Sequence, residues 1–306
     1  MKSKIIKLLK EAPDVISGEE LSLELQVSRV TIWKHIKALQ EMGYEILSGP
    51  KGYSYSKDND FLFAWEFGQR EAQIYYFDSV ASTMAKAKEV ARQGAPDQSV
   101  VLADCQKEGR GRMQRTWLSD RGGLYLTLIL RPELPATSAF LMNFITSTVL
   151  VETIRQQTGL DAKVKWPNDI LIGEKKLSGM LSELEASEEL VSYVNIGIGL
   201  NVNNDPTKDE KTATSIKNEL GHGVKRRDLL TDFLDRLAVR LDNLQPESAV
   251  EEWKKYTMTL GRQVKIVTLR ETAEGRAVDV DETGALILQQ EDGTTRKIIY
   301  GDCFHL

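Results

Sequence analysis

At 306 residues the chain is too long for one small core, so two or three domains are expected. Its 41% apolar and 28% charged residues are ordinary for a globular protein, and a net charge of −5 excludes a general polyanion binder. Cys105 and Cys303 have no CxxC spacing and the three histidines are scattered, which argues against a disulfide framework or a zinc motif and for a reducing, cytoplasmic location. The opening MKSKIIKLLKEAPD carries charges inside its apolar segment and lacks a small-residue cleavage site, unlike a signal peptide. The longest apolar stretch, LYLTLIL, is far too short to span a bilayer, so no membrane partner is expected.

Residues 4–10 read as a short amphipathic helix ended by Pro13. SGEE offers a capping box, Ser17 with Glu20, for a second helix bearing Leu21 and Leu25 on one face. QVS breaks the chain, and Ser28 caps a third helix to about Met42, with Ile32, Trp33, Ile36 and Leu39 expected to face inward. YEILSGPKGYSYS reads as a hairpin around Gly-Pro-Lys-Gly. Two helices joined by a turn and followed by a hairpin form a winged helix-turn-helix pattern. The same pattern serves helical protein-interaction domains. Polar residues at the start of the third helix and Lys51 at the wing tip favour DNA. Residues 1–57 also hold nine Lys/Arg against seven Asp/Glu, a mild asymmetry.

Residues 58–72 read as a linker with some helix. Beyond them, apolar strands alternate with helices: QIYYFDSV, the helix STMAKAKEVARQG, SVVLADC, GGLYLTLILR, a long helix over 138–157, then AKVKW, DILIG, KKLSGMLSEL and SYVNIGIGLNVN. RRDLLTDFLDRLAVRLDNL is a further amphipathic helix, and NNDPTKDEKTATS reads as a mobile polar loop. This mixture predicts an α+β domain with a largely antiparallel sheet. Four or five short strands after residue 260, parted by DETG and EDG turns, predict a small β-barrel. The expected domains are therefore 1–58, 59–260 and 261–306.

QKEGRGRMQRTW, residues 106–117, follows a strand and is too glycine-rich for a helix. Gly109 and Gly111 are expected to take positive φ and let the backbone approach a ligand. The arginines would present planar forks to phosphate or carboxylate, and Trp117 a flat face to a ring. The Walker pattern is missing, so this is not a P-loop. KVKWPNDILIGEKKLSG sets Asn168 and Asp169 in a proline-fixed turn and Lys176 at the start of the next strand. A buried lysine there, near arginines, would favour an anion whose charge grows during reaction. In NIGIGLNVN, Gly197, Gly199 and Asn201 lie along a strand where a ligand could press on the backbone. Taken singly, each segment is also compatible with a solvated basic loop, a surface lysine in a hairpin or a strand bulge.

In this order, SGEELSLELQVSRVTIWKHIKAL, DSVAST, QKEGRGRMQRTW, KWPND, KKLSG and GIGLNVN resemble the bifunctional biotin–protein ligases of the BirA type, over almost the whole chain. Ala81 replaces a serine found in others, and Gln114 a glycine found in some relatives. The resemblance implies a winged helix-turn-helix, a ligase domain and an SH3-like barrel. It implies biotin and ATP as ligands, with Mg²⁺ accompanying ATP, and two steps through biotinyl-5′-AMP. It implies biotin contacts at Ser82, Thr83, Met84, Gln106, Gly109, Arg110, Gly111, Arg112 and Lys176. Adenylate contacts would come from Arg110, Arg112, Arg115, Trp117, Asn168, Lys176 and Asn201. Lys176 and Arg112 would be catalytic, and Asp169 would orient or deprotonate the incoming lysine. DNA contact is expected from Ser28, Arg29, Thr31, Ile32, Lys34, His35 and Lys51. The implied partners are biotin carboxyl carrier proteins, operator DNA and, when adenylate-loaded, a second copy of the chain. The rivals are a lipoate or octanoate ligase on a related fold and a repressor without catalysis.

Overall fold

Two serines frame the N-terminal helices in the computed structural model, which describes residues 1–56, 59–187, 189–268 and 270–306. The chain divides into two compact units, Met1–Gly68 and Gln69–Leu306. The first opens with α1 (Lys2–Glu11), α2 (Gly18–Leu25) and α3 (Arg29–Glu41). Ser17 Oγ accepts the Glu20 N–H at 3.0 Å while Glu20 accepts the Ser17 N–H at 2.7 Å, the reciprocal cap expected at α2. Ser28 caps α3 through the Thr31 N–H at 3.1 Å. Between them Gln26 turns the chain with a φ of 52°.

Ile5, Leu9, Leu21, Ile32, Ile36, Leu39 and Tyr44 close the core of this unit. β1 (Ile46–Gly49) and β2 (Gly52–Tyr55) form the wing, with Gly49 opposite Gly52 and Pro50–Lys51 in the turn. Gly52 has a φ of +143°, and a Cβ there would stand 2.2 Å from the Ile16 carbonyl oxygen, so no larger residue fits.

The segment expected to be a linker belongs partly to this core. Phe61, Phe63 and Trp65 pack on it, with Phe61 4.5 Å from Tyr44 and Phe63 4.8 Å from Trp65 between ring centroids. Trp65 Nε1 donates to the Tyr44 hydroxyl at 2.8 Å, which donates to Glu66 at 2.6 Å. Aromatic residues at every second position thus carry the unit to Gly68, ten residues past the expected boundary. Residue 58 itself lies outside the described residues.

The second unit is built on β3 (Ile74–Phe77), α4 (Thr83–Arg92), β4 (Ser99–Ala103), β5 (Leu124–Leu130), α5 (Leu141–Thr158), β6 (Ala162–Lys165), β7 (Asp169–Ile172), β8 (Lys175–Ser187) and β9 (Leu190–Leu200). The sheet order is β3-β4-β5-β9-β8-β7-β6. The β3–β4 pair is parallel and the rest are antiparallel, as expected. β5 is buried at every position, which explains its unbroken apolar run. The short α6 (Ile216–Leu220) precedes α7 (Arg226–Asp242) and α8 (Pro246–Lys254). The helix over Ala136–Thr158 is long and apolar enough to cross a membrane by composition, a run longer than LYLTLIL. Here α5 packs against α7, α8 and β6 and is buried on nearly every face.

The chain ends in β10 (Gln263–Val267), β11 (Thr272–Val280), β12 (Leu286–Gln289), β13 (Thr295–Ile298) and β14 (Asp302–His305), an antiparallel sheet in the order β13-β12-β11-β10-β14. Trp166, 1% exposed, fastens this sheet to the larger one. Its N–H donates to Thr259 Oγ1 at 3.0 Å and its indole to the Gly284 carbonyl at 3.0 Å.

Candidate functional site

A cavity of about 660 Å³ lies in the second unit between α4, the 106–117 loop, β7–β9 and β14. Its polar end is held by Gln106. The Gln106 Oε1 accepts from the Thr83 N–H at 2.8 Å and the Thr83 hydroxyl at 3.0 Å, and Nε2 donates to Ser119 Oγ at 2.9 Å. Thr127 donates to Thr83 at 3.0 Å beneath them. Ser82, Thr83 and Met84 are buried at the head of α4, where Ser82 serves as the cap. This end offers directed donors and acceptors suited to an amide-like or urea-like group.

The loop's glycines work differently from the expectation. Gly111 has a φ of −107°, and Gly109 is not among the positive-φ residues; that conformation belongs to Met113 and Gln114, at 51° and 59°. Gly109 is required because a Cβ would come within 2.3 Å of the Trp117 carbonyl and 2.7 Å of Ser119 Oγ. The left-handed backbone at Gln114 is one that a glycine would adopt without strain.

The strand glycines receive protein rather than exposing bare backbone. Gly179 and Gly199 face each other across β8 and β9. Their missing side chains form a bay for Trp117, whose Nε1 would be 2.2 Å from a Cβ at Gly199. Met84 fills the corresponding space at Gly197, 3.0 Å from where a Cβ would be. The Trp117 Nε1 is buried with no hydrogen-bond partner among the described residues.

The charged end gathers residues distant in sequence. Lys176 Nζ stands 2.7 Å from Asp169 Oδ1 and 5.5 Å from the Trp117 ring centre. Its side chain is 37% exposed, so the lysine expected to be buried near arginines is instead partly exposed and paired with a carboxylate. Asp169 is correspondingly occupied by Lys176. Arg112 donates from Nη1 to Asn168 Oδ1 at 3.1 Å, and Asn168 donates to the Met180 carbonyl. Burial draws the Arg112 guanidinium below its usual value against the opposing pull of Asp302 and Asp169; arginine remains protonated nonetheless. Arg115 is ion-paired to Asp302. Arg110 is exposed and makes no ion pair among the described residues. Asn201 is buried and accepts from Asn204 at 2.9 Å.

Several lining groups were not legible in advance. Asp302, Cys303 and His305 come from β14. Burial pushes the Cys303 thiol up to about 12. Burial, followed by Lys165 and Arg262, brings His305 down to about 4, so both are neutral near pH 7. The polar loop expected to be mobile is pinned to the lysine itself. The Lys176 N–H donates to the Thr212 carbonyl at 2.8 Å, and Thr214 returns a bond to the Lys176 carbonyl at 2.9 Å.

In the first unit, Arg29, Lys34 and Lys51 are exposed, and Thr31 and His35 partly so. Ser28 is exposed but its hydroxyl is committed to the helix cap. Two expectations are overturned. Ile32 is 0% exposed and cannot touch DNA, because with Ile36 and Leu39 it defines the core stripe. Trp33, expected inside, is 51% exposed, since one residue along α3 turns it about 100° from Ile32.

Residues 76–201 match the Biotin/lipoate A/B protein ligase family, 2–54 an HTH domain, and 259–306 the Biotin protein ligase C terminal domain. The Bifunctional ligase/repressor BirA of Bacillus subtilis is 33% identical, covering 99% of this chain and 98% of that protein. Its namesake in Escherichia coli is 28% identical, covering 94% and 92%. Among solved structures, the biotin protein ligase from Aquifex aeolicus in complex with biotin and ATP aligns with a TM-score of 0.64 at 27% identity, covering 76% of this chain and 98% of that one.

Proposed function

This chain belongs to the family of bifunctional biotin–protein ligases and biotin operon repressors, and from that premise we propose that Lys176, Arg112 and Asp169 carry its ligase chemistry and α3 with its wing carries its DNA contact. The protein is an ATP-dependent biotin–protein ligase and a biotin-responsive repressor. The biotin carboxylate attacks the α-phosphate of ATP, giving biotinyl-5′-AMP and pyrophosphate. The ε-amine of a carrier-protein lysine then displaces AMP and forms the amide.

The observation that carries the residue assignment is the Lys176–Asp169 pair at 2.7 Å beside Trp117, on the wall facing the arginine loop. Two anions must meet during adenylation, and Lys176 with Arg112 would neutralise the charge that builds on the carboxylate and phosphate. Asp169 holds the ammonium in place; with Lys176 drawn to the anion, the carboxylate is released to receive the incoming lysine. Ser82, Thr83, Met84 and Gln106, with Gly109, Arg110 and Gly111, would hold biotin. Arg110, Arg115, Trp117, Asn168 and Asn201 would hold the adenylate. Mg²⁺ would arrive on the triphosphate as part of the substrate; among the described residues no group of three or more His, Cys, Asp or Glu side chains comes together to hold it.

Carrier proteins and operator DNA are its macromolecular partners. We assign DNA contact to Arg29, Lys34 and Lys51, with Thr31 and His35 at the margin. Pairing of two adenylate-loaded copies would set the half-site spacing. Two free cysteines accord with a cytoplasmic location. Lys176→Ala should slow pyrophosphate release from biotin and ATP by about 10²–10³ while leaving the melting temperature near wild type. Near wild-type release would remove Lys176 from the chemistry.

A further inference from the structure

Solvent reaches one stripe of α3, made of Arg29, Val30, Trp33, Lys34 and Lys37, with Glu41 at its C-terminal end. Its charged members before Glu41 are cationic, and none of Arg29, Lys34 and Lys37 makes an ion pair among the described residues. Within it lie two large apolar groups, Val30 at 62% exposure and Trp33 at 51%. Both stand on the first two turns after the Ser28 cap, the end of a recognition helix that meets base edges. They also line one cleft with Arg29, the wing turn Pro50–Lys51, Tyr53 and Glu19, so two cations and one carboxylate share it with them.

Unpaired cations account for phosphate binding, but they do not account for a tryptophan left half in water. The major groove offers one apolar feature, the thymine C5-methyl, and apolar side chains are its partners. We propose that Trp33, with Val30 beside it, reads thymine methyl groups in the operator. The inference rests on the repressor reading above and adds the base class that the helix selects. Lys34, Arg29 and Lys51 would contribute sequence-independent affinity, and Trp33 would contribute discrimination.

The test uses the full chain preincubated with biotin and ATP. Duplexes are enriched from a random-sequence pool, and the enriched sequence is remade with uracil replacing thymine one position at a time. Deleting a buried methyl should weaken wild-type binding about fourfold at a contacted position. Trp33→Ala should bind the thymine and uracil duplexes alike. Its affinity should still fall with salt as steeply as wild type, because no phosphate contact is lost, whereas Lys34→Ala should show a shallower dependence. Trp33→Phe keeps an apolar ring and should retain part of the uracil penalty, which guards against a variant that simply unfolds. If Trp33→Ala enriches the same sequence with the same uracil penalty, Trp33 is not the reader although DNA recognition stands. If wild type enriches no sequence, the repressor reading fails and this inference fails with it.

Discussion

Gly199→Ala is the smallest change that should disable the ligase cavity. The new Cβ would be 2.2 Å from Trp117 Nε1 and 2.3 Å from Cε2, where ordinary contacts are about 3.5–4.0 Å. The indole must therefore retreat by more than about 1 Å. It has no room toward the sheet, because Gly179 forms the other half of the bay. Its exit leads into the cavity, under Lys176. Overpacking of this kind costs about 1–3 kcal/mol, or a fall of roughly 2–12 °C in melting temperature for a unit of this size. Trp117 also anchors the arginine loop, through its N–H to the Gly109 carbonyl at 2.8 Å. A displacement of about 1 Å there should lower the rate of biotin-dependent pyrophosphate release by up to about 10². The matched control is Gly111→Ala, whose Cβ would meet nothing nearer than 3.5 Å at a φ of −107° and should leave the melting temperature unchanged. Differential scanning fluorimetry and a stopped pyrophosphate assay on the two variants suffice. A Gly199→Ala protein with wild-type melting and rate would refute the bay.

Gln114→Gly, which relieves a left-handed φ of 59°, should be neutral or stabilising by up to about 1 kcal/mol in chemical unfolding, and clear destabilisation would contradict the backbone at that turn. Because the His305 pKa falls from 6.5 to about 4 on folding, its contribution is fully present above pH 6.5 and is lost as pH drops toward 4. About 2 kcal/mol should go by pH 5, and His305→Gln should flatten the urea-unfolding profile between pH 7 and 5; an unchanged slope would mean the ring is not buried neutral. Ile32→Ala should cost about 2–5 kcal/mol of stability in the N-terminal unit, whereas Lys34→Ala should cost almost none, a contrast readable by thermal unfolding; equal losses would contradict the orientation of α3.

Much of this fold was legible because it is local. Ser17 with Glu20 and Ser28 announce two helix starts, and Gly-Pro-Lys-Gly announces the wing. The unbroken LYLTLIL announces a strand covered on both faces. The site was legible as three segments, and their residue types pointed to anion chemistry. What the glycines do was not legible. A positive φ at Gly109 or Gly111 is a reasonable guess from the residue type, yet the need for them comes from Trp117 and Ser119, which no spacing rule places there. The same holds for Asp302, which meets Arg115 from 187 positions away, and for Thr212 and Thr214, which flank Lys176 from a stretch that reads as loose and polar. Trp33 departs from the expectation because a large apolar residue type points to a core position. The period set by Ile32, Ile36 and Leu39 points it outward.

The central claim is that this cavity joins biotin to a carrier lysine through an adenylate. The most direct measurement is transfer of labelled biotin to a biotin carboxyl carrier domain with ATP present, with AMP and pyrophosphate counted alongside. The account predicts one labelled amide per AMP and per pyrophosphate, dependence on ATP, loss of labelling when the carrier's acceptor lysine is replaced, and collapse of the rate in Lys176→Ala. Absence of transfer, or transfer of lipoate or octanoate in preference to biotin, would contradict it.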